Sequence, residues 1–453
     1  MHERTQRAIA RLTFVFCCAV PTLATMMMIL VTWTPWWHQR CRRQIQADLS
    51  RDTGMTVRIG DFQRAAPATL HLYDVEIVSP ETQRLVAQIR EVHWVDHGDQ
   101  ISILLQQPEL RSAELRHTWA MIHDRFLCRP DRTSVPVQLA ANDLTIQSRP
   151  GALTLRDVDA WIRPGLVDKT VEATIQCLPA TQHGSLENRT LSPINISVTR
   201  DRNGSSPTTS WMLETGDTAL PCSALAEYIP SLEQLGSDAM FLGVMRWTLG
   251  RDRWSVDLGG SRFSDLSLSH LMEKMPHRLI GDGATLELRR CHVAAERGET
   301  TVVDIAGSLH ARRGSIDASL LRSAQRHLGF RVVPSDKPIT YDLLALDFDL
   351  YGPRLQLTGI CHKQPGHESL GNQVAICADG HPLAVSSQQV LPSTVLMSVM
   401  AHQHSQTIPL SRQTTPLLDI LLPPSRSTPA DRLTVPHISS VRPLYREPSI
   451  SEP

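Results

Sequence analysis

Residues 68–80 read ATLHLYDVEIVSP. Apolar and polar side chains alternate through this stretch, apart from a slip of one residue at Tyr73-Asp74. Alternation with a period of two predicts a β-strand with one apolar face, and a slip that leaves the alternation intact predicts a β-bulge. The apolar residues of this strand are Leu70, Leu72, Val75 and Ile77.

The same pattern returns at residues 151–164, which read GALTLRDVDAWIRP. The two stretches share L-x-L-x-D-V-[ED], with the second slip at Arg156-Asp157. We interpret the repeat as one supersecondary unit that the chain uses more than once. The apolar residues of the second copy are Leu153, Leu155 and Val158.

Period-two alternation resumes in the second half of the chain, interleaved with short helical stretches. It predicts strands over residues 284–294, 300–311 and 341–360, and a helix over residues 317–328 that ends at Gly329. The fold class is therefore mainly β with a few short helices. The apolar residues of these strands are Leu286, Leu288, Val303, Ile305, Leu346, Phe348, Leu350, Leu355 and Leu357.

Residues 12–33 read LTFVFCCAVPTLATMMMILVTW and carry no charge. A helix of this length spans about 33 Å, which matches the hydrocarbon core of a bilayer. Tryptophans cluster at its far end, where indole rings favour the headgroup layer. Arginines flank both ends, so orientation is inferred from the short tail of residues 1–11, which we expect to stay in the cytoplasm. The anchor residues are Leu12, Phe14, Phe16, Ile29, Leu30, Trp33, Trp36 and Trp37.

A cleaved signal peptide is the alternative for this segment. Such a peptide has a shorter apolar run, followed by a small-x-small cleavage site. Here the run is followed by Thr-Pro-Trp-Trp-His at residues 34–38. We therefore favour an uncleaved, single-pass anchor.

The composition excludes some function classes. Lys and Arg number 45 against 46 Asp and Glu, and aromatics make up 5 %, which disfavours a nucleic-acid partner. Two of the nine cysteines, Cys17 and Cys18, lie in the apolar run, and the other seven are scattered singly. No C-x-x-C pair occurs, so the cysteines predict no disulfide framework. One bridge, between Cys361 and Cys377, stays open if the chain lies in an oxidising compartment.

The sequence contains none of the common local motifs for nucleotide binding, zinc proteolysis or serine hydrolysis. It contains no nucleotide-binding glycine motif, no H-E-x-x-H and no G-x-S-x-G. Asp347 and Asp349 lie two apart on a strand, which places both on its solvated face. We expect no catalytic residue, metal or cofactor, although a catalytic triad assembled across distant segments stays open. Donors without the spacing of a zinc site are Cys361, His362, His367, Cys377, His402 and His404.

Changes in composition divide the exported part. Residues 38–178 form an N-terminal β-rich module, and residues 179–210, rich in Thr, Ser, Asn, Pro and Gly, form a linker or loop. A second β-rich module covers residues 211–380. Residues 381–453 form a Pro-rich, largely disordered tail.

The order of parts resembles the AsmA-like proteins of Gram-negative-type envelopes, relatives of TamB and of the repeating-β-groove lipid-transfer proteins. These parts are the anchor, a polar helix over residues 38–52, the stretch Thr56-Val-Arg-Ile-Gly60 and the L-x-L-x-D-V strand. The phrase GSRFSDLSL at residues 260–268 and the hairpin of residues 348–359 resemble the family's C-terminal module. The resemblance implies an elongated, twisted β-groove or β-sandwich-like body on the periplasmic side of the inner membrane.

For function, the resemblance implies a non-enzymatic envelope protein that binds or conveys phospholipid, or supports envelope assembly. Its expected partners are membrane lipid and other envelope proteins. The sixteen apolar strand residues named above are then the candidates for a lipid groove. The alternative is a membrane-tethered structural or scaffolding β protein with a closed core that binds partner proteins.

Overall fold

The computed structural model describes residues 12–32, 34–128, 135–148, 151–164, 170–180, 192–204, 206–226, 230–273, 277–296 and 301–400. The chain divides into two compact units, residues 1–187 and residues 188–453. The fold class is confirmed: the protein is mainly β, with a few short helices and one apolar helix near its N-terminus.

The apolar N-terminal segment is helical from Leu12 to Leu30, with a mean hydropathy of 2.0 and no buried residue. A π-helical stretch (Val15–Ala19) leads into the α-helix α1 (Val20–Thr32). By length and composition this helix suits either a membrane anchor or a signal sequence. Trp33 lies outside the described residues.

Helix α2 (Pro35–Thr53) confirms the predicted polar helix and begins three residues earlier than expected. Its N-terminus is capped by Thr34, whose hydroxyl accepts a hydrogen bond from the Trp37 amide at 3.4 Å. Gly54 ends the helix in a left-handed conformation, with φ of 72°. Trp36 and Trp37, expected at the membrane interface, therefore lie in the first turn of α2.

The described part of the first unit forms seven strands. Each pairs with the next in chain order, antiparallel except for β4 and β5, which are parallel. Parallel neighbours need a crossover, and helix α3 with a π-helical continuation (Ile122–Leu127) lies in it. The elements are β1 (Thr56–Ala66), β2 (Thr69–Val78), β3 (Leu85–Asp96), β4 (Ile101–Arg111), α3 (Leu115–Met121), β5 (Val137–Ser148), β6 (Gly151–Pro164) and β7 (Thr170–Pro179).

The predicted slips in alternation at Asp74 and Asp157 are present. The β-bulge predicted at Asp74 is wrong, because the register of β2 with β1 and with β3 runs through this position without an extra residue. Strand β6 does shift register against β7, between Arg156 and Asp159.

Asp74 and Asp157 both adopt left-handed backbone, with φ of 50° and 49°, inside β2 and β6. Aspartate tolerates this conformation better than most residues. Gln107 of β4 adopts it too, with φ of 49°. The buried residues that flank each aspartate lie three positions apart instead of two, as Leu72 and Val75 do.

These irregular positions lie at one level across neighbouring strands. Gly60 of β1 faces Asp74, which faces Arg90 of β3, which in turn faces Gln107. The Arg90 guanidinium donates to the Gln107 side-chain oxygen at 3.2 Å. Because every strand shifts at the same level, the apolar residues on both sides of this line stay on one face. We call the line the bulge row; it continues through Asp143 of β5, which faces Arg156, the neighbour of Asp157 in β6.

Helix α2 runs along strand β1 and contacts main-chain groups of that strand. The contacting side chains recur every four residues, which places them on one face of the helix. Side-chain contacts of this kind occupy main-chain groups that would otherwise offer a pairing edge. The contacts are His38 Nε2 to Phe62 O at 3.3 Å, Arg42 Nη1 to Gly60 O at 2.6 Å, Gln46 Nε2 to Ile59 O at 3.3 Å, and Val57 N to Ser50 Oγ at 3.0 Å.

The second unit holds most of the strands and short helices. Its first part contains β8 (Ile194–Asp201), β9 (Thr208–Glu214), β10 (Leu220–Pro221), α4 (Cys222–Leu225), β11 (Met240–Leu242), β12 (Val244–Leu249), β13 (Arg253–Asp257), β14 (Ser261–Leu266) and α5 (Leu268–Leu271). Its second part contains β15 (Leu279–Glu296), β16 (Val302–Ile316), α6 (Ala318–Leu328), β17 (Arg331–Val332), β18 (Ile339–Tyr351), β19 (Arg354–Gly359), β20 (Val374–Ala378), β21 (His381–Val385), β22 (Val390–Pro392) and α7 (Val395–Met400).

Strands β15, β16 and β18 form the centre of this unit. β15 pairs with β16 on one side, and with β13 and β14 on the other. Beyond β13 the order continues through β12 and β9 to β8. β16 pairs with β18, which in turn pairs with β19 and β20. The predicted strands at 284–294, 300–311 and 341–360 and the predicted helix at 317–328 are all present.

The second unit has its own line of left-handed residues. Asp265 of β14, within the phrase FSDL, has φ of 54°, and the buried Phe263 and Leu266 flank it. Gly283 of β15 and Arg313 of β16 follow with φ of 60° and 39°. Among the described residues, a left-handed aspartate preceded by a spacer and flanked by buried apolar residues therefore occurs in β2, β6 and β14.

Two predicted boundaries need correction. Strand β8 lies inside the segment predicted as a linker or loop, residues 179–210. Its inward residues Ile194 and Val198 are buried, but the polar residues between them masked the alternation. Elements β21, β22 and α7 lie inside the tail predicted as disordered, residues 381–453, because β21 completes a hairpin with β20. Residues 401–453 lie outside the described part.

Candidate functional site

The inward side of the first unit's sheet is apolar from β1 to β7. Strand registers place the apolar side chains of all seven strands on this one side, and it is called the apolar face below. It consists of Val57, Ile59 and Phe62; Leu70, Leu72, Val75 and Ile77; Ala87, Ile89, Val92 and Trp94; Ile103, Leu105, Pro108 and Leu110; Leu139, Ala141, Leu144 and Ile146; Leu153, Leu155, Val158, Ala160 and Ile162; and Ala173, Ile175 and Cys177.

Burial on the apolar face varies from one side chain to the next. Next to the row, Leu72 and Val75 are 2 % and 4 % exposed. Further along the strands, Leu70, Ile103 and Leu139 are only half-buried. The apolar face therefore combines fully buried side chains with others that stay in partial contact with solvent.

Helix α2 covers one side of the apolar face. Ile45 and Leu49 pack against the buried cluster that contains Val57 and Ile59. The α3 crossover approaches the same helix, because the Arg125 side chain lies against Gly54. Ile103 and Leu105 of β4 are half-buried members of this cluster.

The predicted groove residues divide between the units. Seven lie on the apolar face of the first unit: Leu70, Leu72, Val75, Ile77, Leu153, Leu155 and Val158. The other nine lie in the core of the second unit or pack against it: Leu286, Leu288, Val303, Ile305, Leu346, Phe348, Leu350, Leu355 and Leu357. Leu320, Leu321 and Leu328 of helix α6 belong to that same core. The nine residues are therefore part of a packed interior.

Sequence reasoning missed the contributions of β4 and β5 to the apolar face. The alternation of β4 is interrupted by Gln106-Gln107-Pro108. Leu105 and Leu110 are an odd number of residues apart, so a strict period of two assigns them to opposite faces of the strand. The usable signal is a spacing of three between inward residues that flank a left-handed position, as in β2 and β6.

Comparisons with protein-family models, with curated proteins and with solved structures all returned no match. Function is therefore inferred from the geometry and chemistry of the chain itself.

The paired aspartates of β18 have basic partners. The Arg289 guanidinium contacts both carboxylate oxygens of Asp347, and Arg290 donates to Asp304 and Asp349 at 3.1 Å. Both side chains thus lie on the polar side of the strand, as predicted. Cross-strand ion pairs of this exposed kind contribute little stability each.

Among the described residues, the cysteines and histidines near the C-terminal hairpins do not come together as a group of three metal donors. Cys361 and Cys377 are buried free thiols, and the Cys377 sulfur lies 3.8 Å from His367 Nδ1. Burial raises the pKa of Cys361 to about 12, so its thiol stays neutral. His402 and His404 lie outside the described residues.

Proposed function

We propose that the protein is a membrane-anchored, non-enzymatic envelope protein whose apolar face binds or conveys the acyl chains of phospholipid. The observation that carries this proposal is an uninterrupted apolar face across β1–β7 on which side chains such as Leu70, Ile103 and Leu139 are only half-buried. The opposite face carries mostly polar and charged residues. Such a sheet has one apolar side that suits an acyl chain and one polar side that suits water. The resemblance to AsmA-like proteins implies the same arrangement.

The energetics favour an acyl chain as the ligand. Each exposed CH₂ costs about 0.8 kcal/mol, so a 16-carbon chain meets roughly 12 kcal/mol on leaving a bilayer for water. Half-buried residues such as Ile103 and Leu139 can replace water around that chain. The headgroup can remain solvated, because the ligand needs only one covered side.

The proposed location is the inner membrane, with a single pass and the bulk of the chain on the periplasmic side. Its support is the apolar helix, whose side chains are exposed from Leu12 to Leu30. Trp36, 62 % exposed, follows this helix, and the Arg40 guanidinium lies 5.6 Å from its ring centre. A basic and aromatic pair of this kind suits the headgroup layer.

A second candidate function has support in the second unit. There the apolar strand residues and helix α6 share one core, as expected of a closed scaffold. In this alternative the protein is a membrane-tethered structural β protein that binds other envelope proteins, and the apolar face of the first unit serves a protein partner.

Photo-crosslinking in cells distinguishes the two functions. A photoreactive amino acid is placed at Ile103, on the apolar face, in the full-length chain. The matched control carries it at Leu104, the next residue of β4, which is also apolar, is 39 % exposed and points to the opposite side. Adducts are analysed by mass spectrometry for attached lipid or protein.

We expect a phospholipid adduct at Ile103 and little or none at Leu104. Equal lipid labelling at both positions would mean general contact with membrane and would overturn the proposal. A protein adduct at Ile103 would replace the lipid function with the scaffolding function.

A further inference from the structure

Two histidines and a glutamate meet on the polar side of the first unit's sheet. His71 of β2 lies directly opposite His93 of β3, and Glu91 precedes His93 by two residues on the same side. The Glu91 Oε1 atom lies 3.5 Å from His71 Nδ1 and 2.7 Å from His93 Nε2. One ligand atom from each of the three residues lies within 4.8 Å of the other two.

These separations suit a small divalent ion. Zinc binds imidazole nitrogen and carboxylate oxygen at about 2.0–2.2 Å, so in tetrahedral geometry its ligand atoms lie about 3.3 Å apart. The separation between His71 and Glu91 already matches. The separation between His93 and Glu91 has to open by about 0.6 Å, a shift within the reach of a glutamate side-chain rotation.

The surroundings hold the three side chains in place without sealing them. Their side chains are 20–28 % exposed, which allows an ion to enter. The two imidazole rings lie 4.2 Å apart between centres. Gln106 of β4 approaches His93 Nε2 at 3.2 Å and can bind either the ring or a metal-bound water. The backbone is fixed by pairing with strands on both sides.

We propose that His71, Glu91 and His93 form a binding site for a divalent transition-metal ion of the zinc type, with its fourth position open to water. Two histidines, one carboxylate and one open position form a donor set that proteins use for such ions. A bound ion would clamp β2 to β3 on the side opposite the apolar face. It would thereby stiffen the sheet next to the bulge row.

A second group of donors offers a poorer match. His123, Asp124 and Cys128 also lie within reach of one another. His123 and Asp124 are adjacent on a helical segment, however, and the Asp124 Oδ1 atom already contacts His123 Nδ1 at 2.8 Å. The Cys128 sulfur lies 3.7 Å from His123 Nδ1 as a hydrogen-bonding contact. This group must nevertheless be controlled in any binding experiment.

The test uses the full-length chain, purified in detergent and stripped with a chelator. Zinc is titrated by calorimetry, and cobalt(II) is added separately because its visible spectrum reports four-coordinate geometry. The variants are His93→Gln, Glu91→Gln and Cys128→Ser. His292→Gln is the matched control, because His292 contacts the Asp257 carboxylate at 3.8 Å but belongs to no group of three metal donors among the described residues.

We expect one equivalent of zinc to bind, with affinity reduced by at least about 10-fold in His93→Gln and Glu91→Gln. Cys128→Ser and His292→Gln should bind as the unaltered chain does. Failure of the unaltered chain to bind zinc overturns the site. Loss of binding in Cys128→Ser alone overturns it too, because the ion would then belong to the other group. If His93→Gln melts at a lower temperature than the unaltered chain when no zinc is present, that variant has a folding defect. The zinc affinity of Glu91→Gln then decides whether the site exists.

Discussion

Tyr341 donates a hydrogen bond from its hydroxyl to the main-chain carbonyl of Ile280 at 2.8 Å, although strand β16 runs between them. The contact is possible because Gly314 of β16, the residue between them, has no side chain. The tyrosine ring lies over this glycine and is 2 % exposed. Three strands are thus fastened by one side chain at the level of the second unit's left-handed residues.

The replacement Gly314→Ala should destabilise the second unit. The added Cβ would lie 2.6 Å from Tyr341 Cζ, and it would also meet the carbonyl of Ile280. Overpacking of this kind costs about 1–3 kcal/mol. Urea unfolding of the full chain, followed by tryptophan fluorescence, measures the loss. Gly371→Ala is the control, because nothing lies within 4 Å of its added Cβ, and an equal loss there would contradict the packing argument.

The left-handed position in β6 predicts a strict preference at Asp157. Asp157→Val forces a β-branched residue into φ of 49° and should cost about 2 kcal/mol, whereas Asp157→Asn should be nearly neutral. Urea unfolding compares the two. The control Thr154→Val lies in the same strand, away from the left-handed position. A valine tolerated equally at both positions would show that β6 does not need this conformation.

The sequence predicted most strands and the slips inside two of them. Asp74 and Asp157 were informative because apolar alternation on both sides made each slip visible. Gln107 and Arg313 were not recognised, since neither residue type favours left-handed backbone and their flanking apolar residues are interrupted by proline or glycine. Where neighbouring strands impose the left-handed conformation on a residue, the sequence of that residue's own strand carries little sign of it.

Coverage of the apolar residues could not be predicted from alternation alone. Leu72 and Leu346 belong to equally clear patterns, yet they lie in different settings. Leu346 is half-buried and packs against a core that includes helix α6, whereas Leu72 is fully buried in a cluster whose neighbours Leu70 and Ile103 stay half-buried. The pattern shows which side of a strand is apolar. What packs on that side depends on residues far away in the chain.

The contact between Ser50 and Val57 predicts protection of strand β1 by helix α2. Ser50→Ala removes the acceptor for the Val57 amide, at a cost of about 1 kcal/mol. This loss should accelerate hydrogen exchange in β1 about fivefold. Exchange measured by mass spectrometry on peptides of β1 checks it. Arg43→Ala, an exposed position on α2, should leave the rate unchanged, and acceleration there would point to general loosening of the helix.

The buried thiols predict a graded reactivity. Burial raises the pKa of Cys177 to about 11 and those of Cys222 and Cys361 to about 12. The thiolate is the reactive species, so at pH 8 a pKa of 12 leaves only about one thiol in ten thousand reactive. Iodoacetamide should label the half-buried Cys41 in the folded chain and leave these three unlabelled, and all four should react after unfolding with reductant. The unfolded chain is also labelled without reductant. If Cys361 then reacts only when reductant is present, its thiol had formed a disulfide. Labelling of folded Cys361 as fast as Cys41 would contradict its burial.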